Sequence, residues 1–139
     1  MDTEILDAIK RRAAEEQYPR KLGIVLQKAE PGYALVEMPV SDDMGNIFHM
    51  AHGGAIFSLI DEAFEISCNT YGTVAVALNM NVTYHRSPSK GAVLRAESRE
   101  IYRSAKTASY DIKVTDDNDR LIASCRALAY RKKEKLPFL

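Results

Sequence analysis

Residues 52–70 form the segment that most restricts how this chain can fold. Apolar residues recur there at helical spacing, and the charged residues within it are Asp61, Glu62 and Glu65. A helix that is apolar over most of its circumference is buried rather than laid on a surface. The sequence therefore predicts a central helix that the rest of the chain must cover. Its apolar residues are Ala55, Ile56, Leu59, Ile60, Ala63, Phe64 and Ile66.

Directly after this helix the hydrophobic period changes to two. From Thr73 to Tyr84, larger apolar side chains alternate with small or polar ones, which is the pattern of a β-strand. Short turns rich in glycine, proline or aspartate separate the runs that follow. Further strands are predicted at residues 21–28, 33–40, 92–103, 106–115 and 121–131.

The two ends of the chain give weaker patterns. Residues 2–17 predict a helix, which ends at Tyr18-Pro19 because proline disfavours the helical conformation in the residue before it. Residues 132–139 are basic and then apolar, and we expect them to fray.

The order of the elements predicts the architecture. A helix and two strands precede the buried helix, and four strands follow it. Consecutive strands joined by short turns are antiparallel. One apolar helix and one long sheet bury each other's apolar surfaces when the sheet wraps around the helix. The fold class is therefore α+β, and residues 1–139 are the usual size of one domain.

Composition excludes several classes of protein. Lys plus Arg equals Asp plus Glu at 19 each, so the chain lacks the basic excess of a nucleic-acid or anionic-membrane binder. The longest uncharged stretch, residues 66–85, is too polar to span a bilayer. Cys68 and Cys125 form neither a disulfide framework nor a zinc ligand set. With no secretory signal at its N-terminus, we expect a reduced, cytoplasmic protein.

The loop that enters the buried helix carries the first candidate chemistry. Gly53 and Gly54 are poor helix formers, and they suit a place where another molecule approaches the backbone closely. The first N–H groups of a helix lack intrahelical partners and lie at the positive end of its dipole. They can bind an oxyanion or polarise a carbonyl. The alternative is a tight turn that uses glycine for its own geometry.

Asp61 is the second candidate, as a carboxylate in an apolar helix. Burial would raise its pKa and suit it to act as a base. The alternative is a solvated helix edge that Asp61 shares with Glu62 and Glu65. Asp61 follows His52 by nine residues, or roughly 13 Å along a helix. If the helix start and Asp61 act on one substrate, Asp61 must come from a second copy, which predicts a homodimer with sites at the interface.

Other catalytic arrangements find little support. His49 and His52 are three residues apart and His85 is distant, so no metal site is expected, and His52 is expected to hold the loop by hydrogen bonds. No serine lies in a Gly-x-Ser-x-Gly motif. No glycine-rich phosphate loop is present, and no cofactor is expected.

The sequence His52-Gly53-Gly54, followed after six residues by Asp61, resembles the hotdog-fold acyl-CoA thioesterases, specifically their phenylacetyl-CoA thioesterase-like branch. The resemblance extends from about residue 22 to residue 130. Its further motifs are Leu22-Gly23-Ile24, Asn46 six residues before His52, Met80-Asn81-Val82-Thr83-Tyr84, Ser87-Pro88 and the hairpin from Arg103 to Lys106.

This resemblance implies a reaction, the hydrolysis of an acyl-CoA thioester, and a role for each matching residue. The N–H of Gly53 or Gly54 would polarise the thioester carbonyl. Asp61 of the partner subunit would act as base or nucleophile, and Asn46 would help to place the water or the carbonyl. Glu62 leaves open which of two adjacent carboxylates is the base. Some relatives carry a serine that helps to orient the water, on the strand after the helix. This chain has Ala77 there, so that hydroxyl is missing from its water network.

The resemblance also implies an assembly and a substrate site. The family forms dimers whose sheets join edge to edge, often paired into tetramers. Coenzyme A would lie across the interface, with its phosphates near two turns and the acyl group beside the helix. The residues implied are Arg86, Ser87 and Pro88 at one turn, Arg103, Ser104 and Lys106 at the other, and Phe57 and Phe64 at the acyl group.

Three other functions compete with hydrolysis. A hotdog module could bind acyl-CoA as a sensor, although only about 20 residues precede the first strand, too few for a DNA-binding domain. A hotdog dehydratase or hydratase would use a different arrangement of histidine and acidic residue. A purely structural protein would leave Asp61 and the paired glycines without a purpose.

Overall fold

The structure is a computed structural model, and it describes residues 2–139. A single turn of 3-10 helix at Asp42–Met44 lies in the loop before the central helix. In chain order the other elements are α1 (Asp2–Glu15), α2 (Gln17–Lys21), β1 (Val25–Glu30), β2 (Tyr33–Pro39), α3 (Gly53–Cys68), β3 (Thr73–Tyr84), β4 (Val93–Arg103), β5 (Thr107–Thr115) and β6 (Leu121–Lys135).

The strands form one antiparallel sheet in the order β1-β2-β4-β5-β6-β3. β3 leaves α3, crosses to the far side of the sheet and pairs with β6, so it is an edge strand. The inner face of the sheet packs on α3, which confirms the predicted architecture of a sheet wrapped around one helix.

The core lies between α3 and the inner face of the sheet. Leu59, Ile60 and Ala63 on α3 are fully buried, as the apolar spacing predicts. Phe64 packs edge to face on Tyr110 of β5, with ring centroids 5.6 Å apart. Within the described residues, no helix has both the length and the apolar character needed to cross a bilayer.

The N-terminal region differs from the single predicted helix. α1 ends at Glu15, and α2 begins at Gln17 and includes Pro19. Pro19 is the third residue of α2, where a backbone N–H has no intrahelical partner, so the missing donor costs nothing. The prediction that Tyr18-Pro19 stops the helix was wrong for this reason. The short α2 brings Tyr18 onto α3, where its hydroxyl lies 2.8 Å from Oγ of Ser58.

The C-terminal tail is also more ordered than predicted. β6 continues to Lys135 because its last residues pair with the start of β3. Leu136 is buried, and its N–H donates to the carbonyl of Gly72 at 3.0 Å. The expectation that the tail frays from residue 132 was therefore wrong, because pairing with β3 and burial in the core both hold the tail in place.

β3 begins and ends as predicted, but its two faces do not differ as one buried and one solvated set of side chains. Its register with β6 shifts between Ala77 and Asn79, which breaks the alternation. Val76, Leu78 and Tyr84 are exposed. A long edge strand with unpaired backbone and exposed apolar side chains is a template for another chain.

Candidate active site

The loop before α3 is shaped by Asn46. Its side-chain Oδ1 accepts hydrogen bonds from the N–H groups of Phe48 at 2.9 Å and Met50 at 3.1 Å. Its own N–H donates to the carbonyl of Met50 at 2.8 Å. Between them His49 adopts a φ of 60°, in the left-handed region. Asn46 thus closes the loop that leads to α3. Its Nδ2 group makes no hydrogen bond within residues 2–139 and is available for other contacts.

His52 is the N-cap of α3. Its backbone is extended, and its ring Nδ1 accepts a hydrogen bond from the N–H of Gly54 at 2.9 Å. Because Nδ1 is an acceptor here, the neutral ring carries its proton on Nε2. His52 therefore satisfies one donor of the first helical turn.

Gly53 supplies the free donor at this helix start. The N–H groups of Ala55 and Ile56 donate to the carbonyl of His52 at 3.0 and 3.3 Å, and the N–H of Gly54 is taken by the His52 ring. Within residues 2–139 the N–H of Gly53 has no hydrogen-bond partner. Of the two glycines that the sequence offers as carbonyl-polarising donors, Gly53 is the one with an available N–H.

A cavity of about 300 Å³ opens beside Gly53. The hydroxyl of Tyr84 donates to the carbonyl oxygen of Gly53 at 3.1 Å on one side of it. A second cavity of about 320 Å³ continues past Ser87 to Pro88 and Lys90. The structure therefore brings the predicted turn residues Arg86, Ser87 and Pro88 to the helix start. The residues lining the first cavity are Met50, Ala51, Gly53, Ile56, Tyr84, His85, Arg86 and Ser87.

Asp61 lies two turns further along α3, on its exposed side. It lines a cavity of about 410 Å³ with Tyr18, Phe57 and Ser58. Partial burial raises the pKa of Asp61 above its ordinary value, and the nearby charge of Glu16 adds to the effect. Asp61 lies eight positions after Gly53 on the unbroken helix, or roughly 12 Å along its axis. One protomer therefore does not bring these two groups to the same atom.

Three carboxylates meet beside Asp61 in a cluster that sequence reasoning missed. Carboxylate oxygens of Glu16, Glu62 and Glu65 lie within 4.8 Å of one another. Glu62 is only 7% exposed, and its burial, with Glu16 and Glu65 beside it, raises its pKa to about 11. Burial and the neighbouring Glu16 raise the pKa of Glu65 to about 7, although its hydrogen bond with Glu62 lowers it. Glu62 is therefore a neutral acid at neutral pH.

The signal for this burial was present in the helical spacing. Ala55, Leu59, Glu62 and Ile66 follow one another at intervals of four, three and four residues, so Glu62 lies in an apolar stripe. The alternative of a solvated edge shared by all three acidic residues does not hold for Glu62, which is buried, whereas Asp61 and Glu65 are exposed.

Glu62→Gln is expected to change the pH dependence of stability. The folded protein keeps the Glu62 proton, which the unfolded chain releases above its ordinary pKa of 4.5. The free energy of unfolding therefore falls as pH rises from 4.5 towards 11. Glutamine cannot ionise, so the free energy of unfolding of the variant should fall less than that of the wild type, by at least ~1 kcal/mol, between pH 5.5 and pH 8. Urea unfolding at pH 5.5 and pH 8 measures this.

The matched control is Glu15→Gln, which neutralises an exposed carboxylate on α1. We expect its stability to follow pH as the wild type does. If Glu62→Gln also followed the wild-type pH dependence, the assignment of Glu62 as a buried neutral acid would be incorrect.

Four of the predicted substrate contacts, Phe64, Arg103, Ser104 and Lys106, lie away from these cavities within one protomer. Phe57 lines the cavity of Asp61, but Phe64 is 1% exposed and packed in the core. Arg103 stacks on the ring of Tyr71, 3.5 Å from its centroid, just beyond the C-terminal end of α3. Ser104 and Lys106 follow in the same turn, where their carbonyls accept hydrogen bonds from Arg131. These residues therefore lie at the opposite end of α3 from Gly53.

Known proteins are similar to this chain in sequence and in fold. The family profile described as "Thioesterase superfamily" matches residues 48–123. The acyl-coenzyme A thioesterase PaaI of Escherichia coli K12 is 32% identical over 112 residues, which are 81% of this chain and 80% of the relative.

Solved structures agree with this similarity. The structure of the E. coli PaaI protein aligns with a TM-score of 0.90 over 95% of this chain and 96% of that one, at 28% identity. A structure of the phenylacetic acid degradation protein PaaI from Thermus thermophilus aligns with a TM-score of 0.81 at 32% identity, over 84% of this chain and 100% of that one. The chain belongs to the thioesterase superfamily, in the PaaI branch of its hotdog-fold acyl-CoA thioesterases.

Proposed function

We propose that this acyl-CoA thioesterase hydrolyses acyl- or aryl-acyl-CoA at a site that two copies of the chain share. One observation carries the proposal: the unpartnered N–H of Gly53 opens into a cavity at the positive end of a buried helix. A developing oxyanion is the ligand that such a donor stabilises best. The reaction converts the thioester and water to a carboxylic acid and free CoA.

The helix start would act on the thioester carbonyl. Its oxygen accepts a hydrogen bond from Gly53 N–H, and the helix dipole favours the negative charge that develops there. Water then adds to the carbonyl carbon, the C–S bond breaks, and the sulfur leaves with the proton that water gave up. Asn46 holds the loop in place, and its Nδ2 group, which has no hydrogen bond within residues 2–139, is available to orient the water or the carbonyl.

Asp61 would take the proton from water or attack the carbonyl itself. Its raised pKa makes the carboxylate a better proton acceptor than a solvated aspartate, and the cavity beside it admits a ligand. Glu62 carries its proton at neutral pH and cannot accept another. This difference favours Asp61 over its neighbour as the base. Ala77 offers no hydroxyl, so any water at Asp61 is held by other groups.

A dimer would bring the two groups together. Asp61 lies roughly 12 Å from Gly53 along one helix, so the partner's Asp61 must complete the site. The free edge of β3 and its exposed Val76 and Leu78 supply the surface, because two such edges can pair about a two-fold axis into one continuous sheet. Sedimentation analysis should then give at least twice the mass of the 15.5 kDa chain.

Coenzyme A would bridge the two copies. Arg86, Ser87 and Pro88 of one chain lie at the Gly53 cavity. Arg103, Ser104 and Lys106 lie at the other end of α3, so they can reach the same nucleotide only from the second copy. The acyl group would lie against Phe57, while Phe64 stays in the core and takes no part.

The proposal also covers the domain, the assembly and the compartment of the chain. Residues 1–139 act as one domain, since one sheet and one buried helix share a core. Pairs of dimers form tetramers through exposed apolar side chains such as Tyr102 and Ile101. The protein works in the cytoplasm, where its free buried thiols, Cys68 and Cys125, stay reduced.

The test is release of free thiol from a panel of acyl-CoA esters with aromatic, short aliphatic and long aliphatic acyl groups. We expect turnover of at least one class and a ranking among them. If no ester is hydrolysed although CoA esters bind, the protein is a binding module and the proposed reaction is wrong.

A further inference from the structure

We propose that Tyr84 is a positioning residue for thioester hydrolysis, because its hydroxyl holds the peptide that aims the N–H of Gly53 into the active site. The inference rests on the proposed function and adds a residue to it. Tyr84 would not touch the reacting atoms. It would act through the backbone of Gly53.

The contact between Tyr84 and Gly53 joins two elements that are distant in sequence. Tyr84 is the last residue of β3, and Gly53 is the first residue of α3. The Tyr84 hydroxyl donates to the Gly53 carbonyl at 3.1 Å, and a Cβ placed on Gly53 would lie 3.4 Å from ring carbon Cζ. The ring therefore lies in van der Waals contact with the space that the glycine leaves open.

The Gly53–Gly54 peptide is held at both of its polar ends. His52 Nδ1 accepts from its N–H at 2.9 Å, and Tyr84 donates to its carbonyl. A carbonyl oxygen has two lone pairs, so this bond does not compete with the helical one. Because paired glycines have the largest backbone freedom of any dipeptide, the first turn needs such contacts to keep one orientation.

The orientation of the Gly53–Gly54 peptide matters because the N–H of Gly53, directly before it in the chain, is the proposed catalytic donor. If the Gly53–Gly54 peptide is not held, the first turn of α3 loosens, and the N–H of Gly53 at its start loses the fixed position from which it polarises the carbonyl. A donor misplaced in this way loses transition-state stabilisation without weakening the binding of the CoA portion. The expected signature is therefore a lower kcat at an unchanged KM.

Tyr84→Phe removes the hydroxyl and keeps the ring. We expect kcat to fall about three- to tenfold, the size of one hydrogen bond, with KM and melting temperature unchanged. The control is Tyr130→Phe, which removes a hydroxyl from an exposed tyrosine on β6 that has no hydrogen bond within the described part of the chain, and it should keep wild-type kinetics. A KM that rises at constant kcat would mean that Tyr84 contacts substrate directly, and would overturn the proposal.

A double variant separates positioning from an independent effect. Gly53→Pro deletes the N–H through which Tyr84 acts, so Tyr84→Phe should lower kcat no further in the Gly53→Pro background. If the two losses multiply instead, Tyr84 does not act through Gly53 and the inference is wrong. A wild type that hydrolyses no acyl-CoA overturns the proposed function and this inference together. An active wild type with an unaffected Tyr84→Phe variant overturns this inference alone.

Discussion

Asp61→Asn is expected to lower kcat by ~10²–10⁴-fold, the usual contribution of a general base. Asparagine has nearly the same shape as aspartate but cannot accept the proton of water or act as a nucleophile. Asp61 is exposed within the protomer and makes no side-chain hydrogen bond within residues 2–139, so the change should leave folding intact. Thiol release measures kcat, and binding of CoA should be unchanged.

The control for Asp61→Asn is the adjacent Glu62→Gln variant. Glu62 is buried and its pKa is raised, so it carries its proton at neutral pH and glutamine replaces it with little change in hydrogen-bonding character. We expect Glu62→Gln to keep kcat near the wild-type value. The reverse result, with Glu62→Gln inactive and Asp61→Asn active, would assign the base to Glu62 and contradict the proposed chemistry.

Gly53→Pro is expected to lower kcat by ~10²–10³-fold, the usual loss when one oxyanion donor is removed. Gly53 is the first residue of α3, where proline is well tolerated because its fixed φ suits the helix. The residue before a proline must be extended, and His52 already has φ −66° and ψ 133°. The substitution thus removes the N–H while the helix can still form.

Gly53→Ala separates the N–H from the added bulk. Its Cβ would meet the Tyr84 ring at 3.4 Å, an ordinary contact, and the N–H remains. We expect Gly53→Ala to keep more activity than Gly53→Pro by at least about tenfold. If both variants lost activity equally while circular dichroism showed native helix, close packing at Gly53 would matter rather than its N–H.

The long, strongly patterned segments could be predicted from sequence. The apolar stripe of residues 52–70 and the alternation after it predicted α3 and β3, and α3 buries the predicted stripe. The sheet that wraps α3 could be predicted as well, because an apolar helix must be buried and the other apolar segments of the chain had the pattern of strands. These features depend on periodicity, which the order of residues records directly.

Features that depend on tertiary contacts could not be predicted in the same way. Pro19 can end one helix or begin another, and only the packing of Tyr18 on Ser58 shows which. Leu136 is buried because it follows the pairing of β6 with β3, and its N–H donates to the carbonyl of Gly72. The residues around Leu136 in the sequence do not indicate these long-range contacts.

The candidate site shows the same division. The motif identified Gly53, Gly54 and Asp61, but only the hydrogen bond from Gly54 to His52 shows which glycine N–H is free. The cluster of Glu16 with Glu62 and Glu65 joins α3 to the residue between α1 and α2, so it depends on how those elements pack. The turn at Arg103 matched the family motif, yet its position at the far end of α3 required the fold.

The central claim is that each site combines Gly53 of one chain with Asp61 of the other, and mixed dimers test it most directly. Chains with Asp61→Asn are refolded together with chains carrying Gly53→Pro, and heterodimers are isolated with two affinity tags. One of their two sites then has both intact residues, so thiol release should return to about half of wild type. Heterodimers as inactive as the parent variants would contradict the shared site.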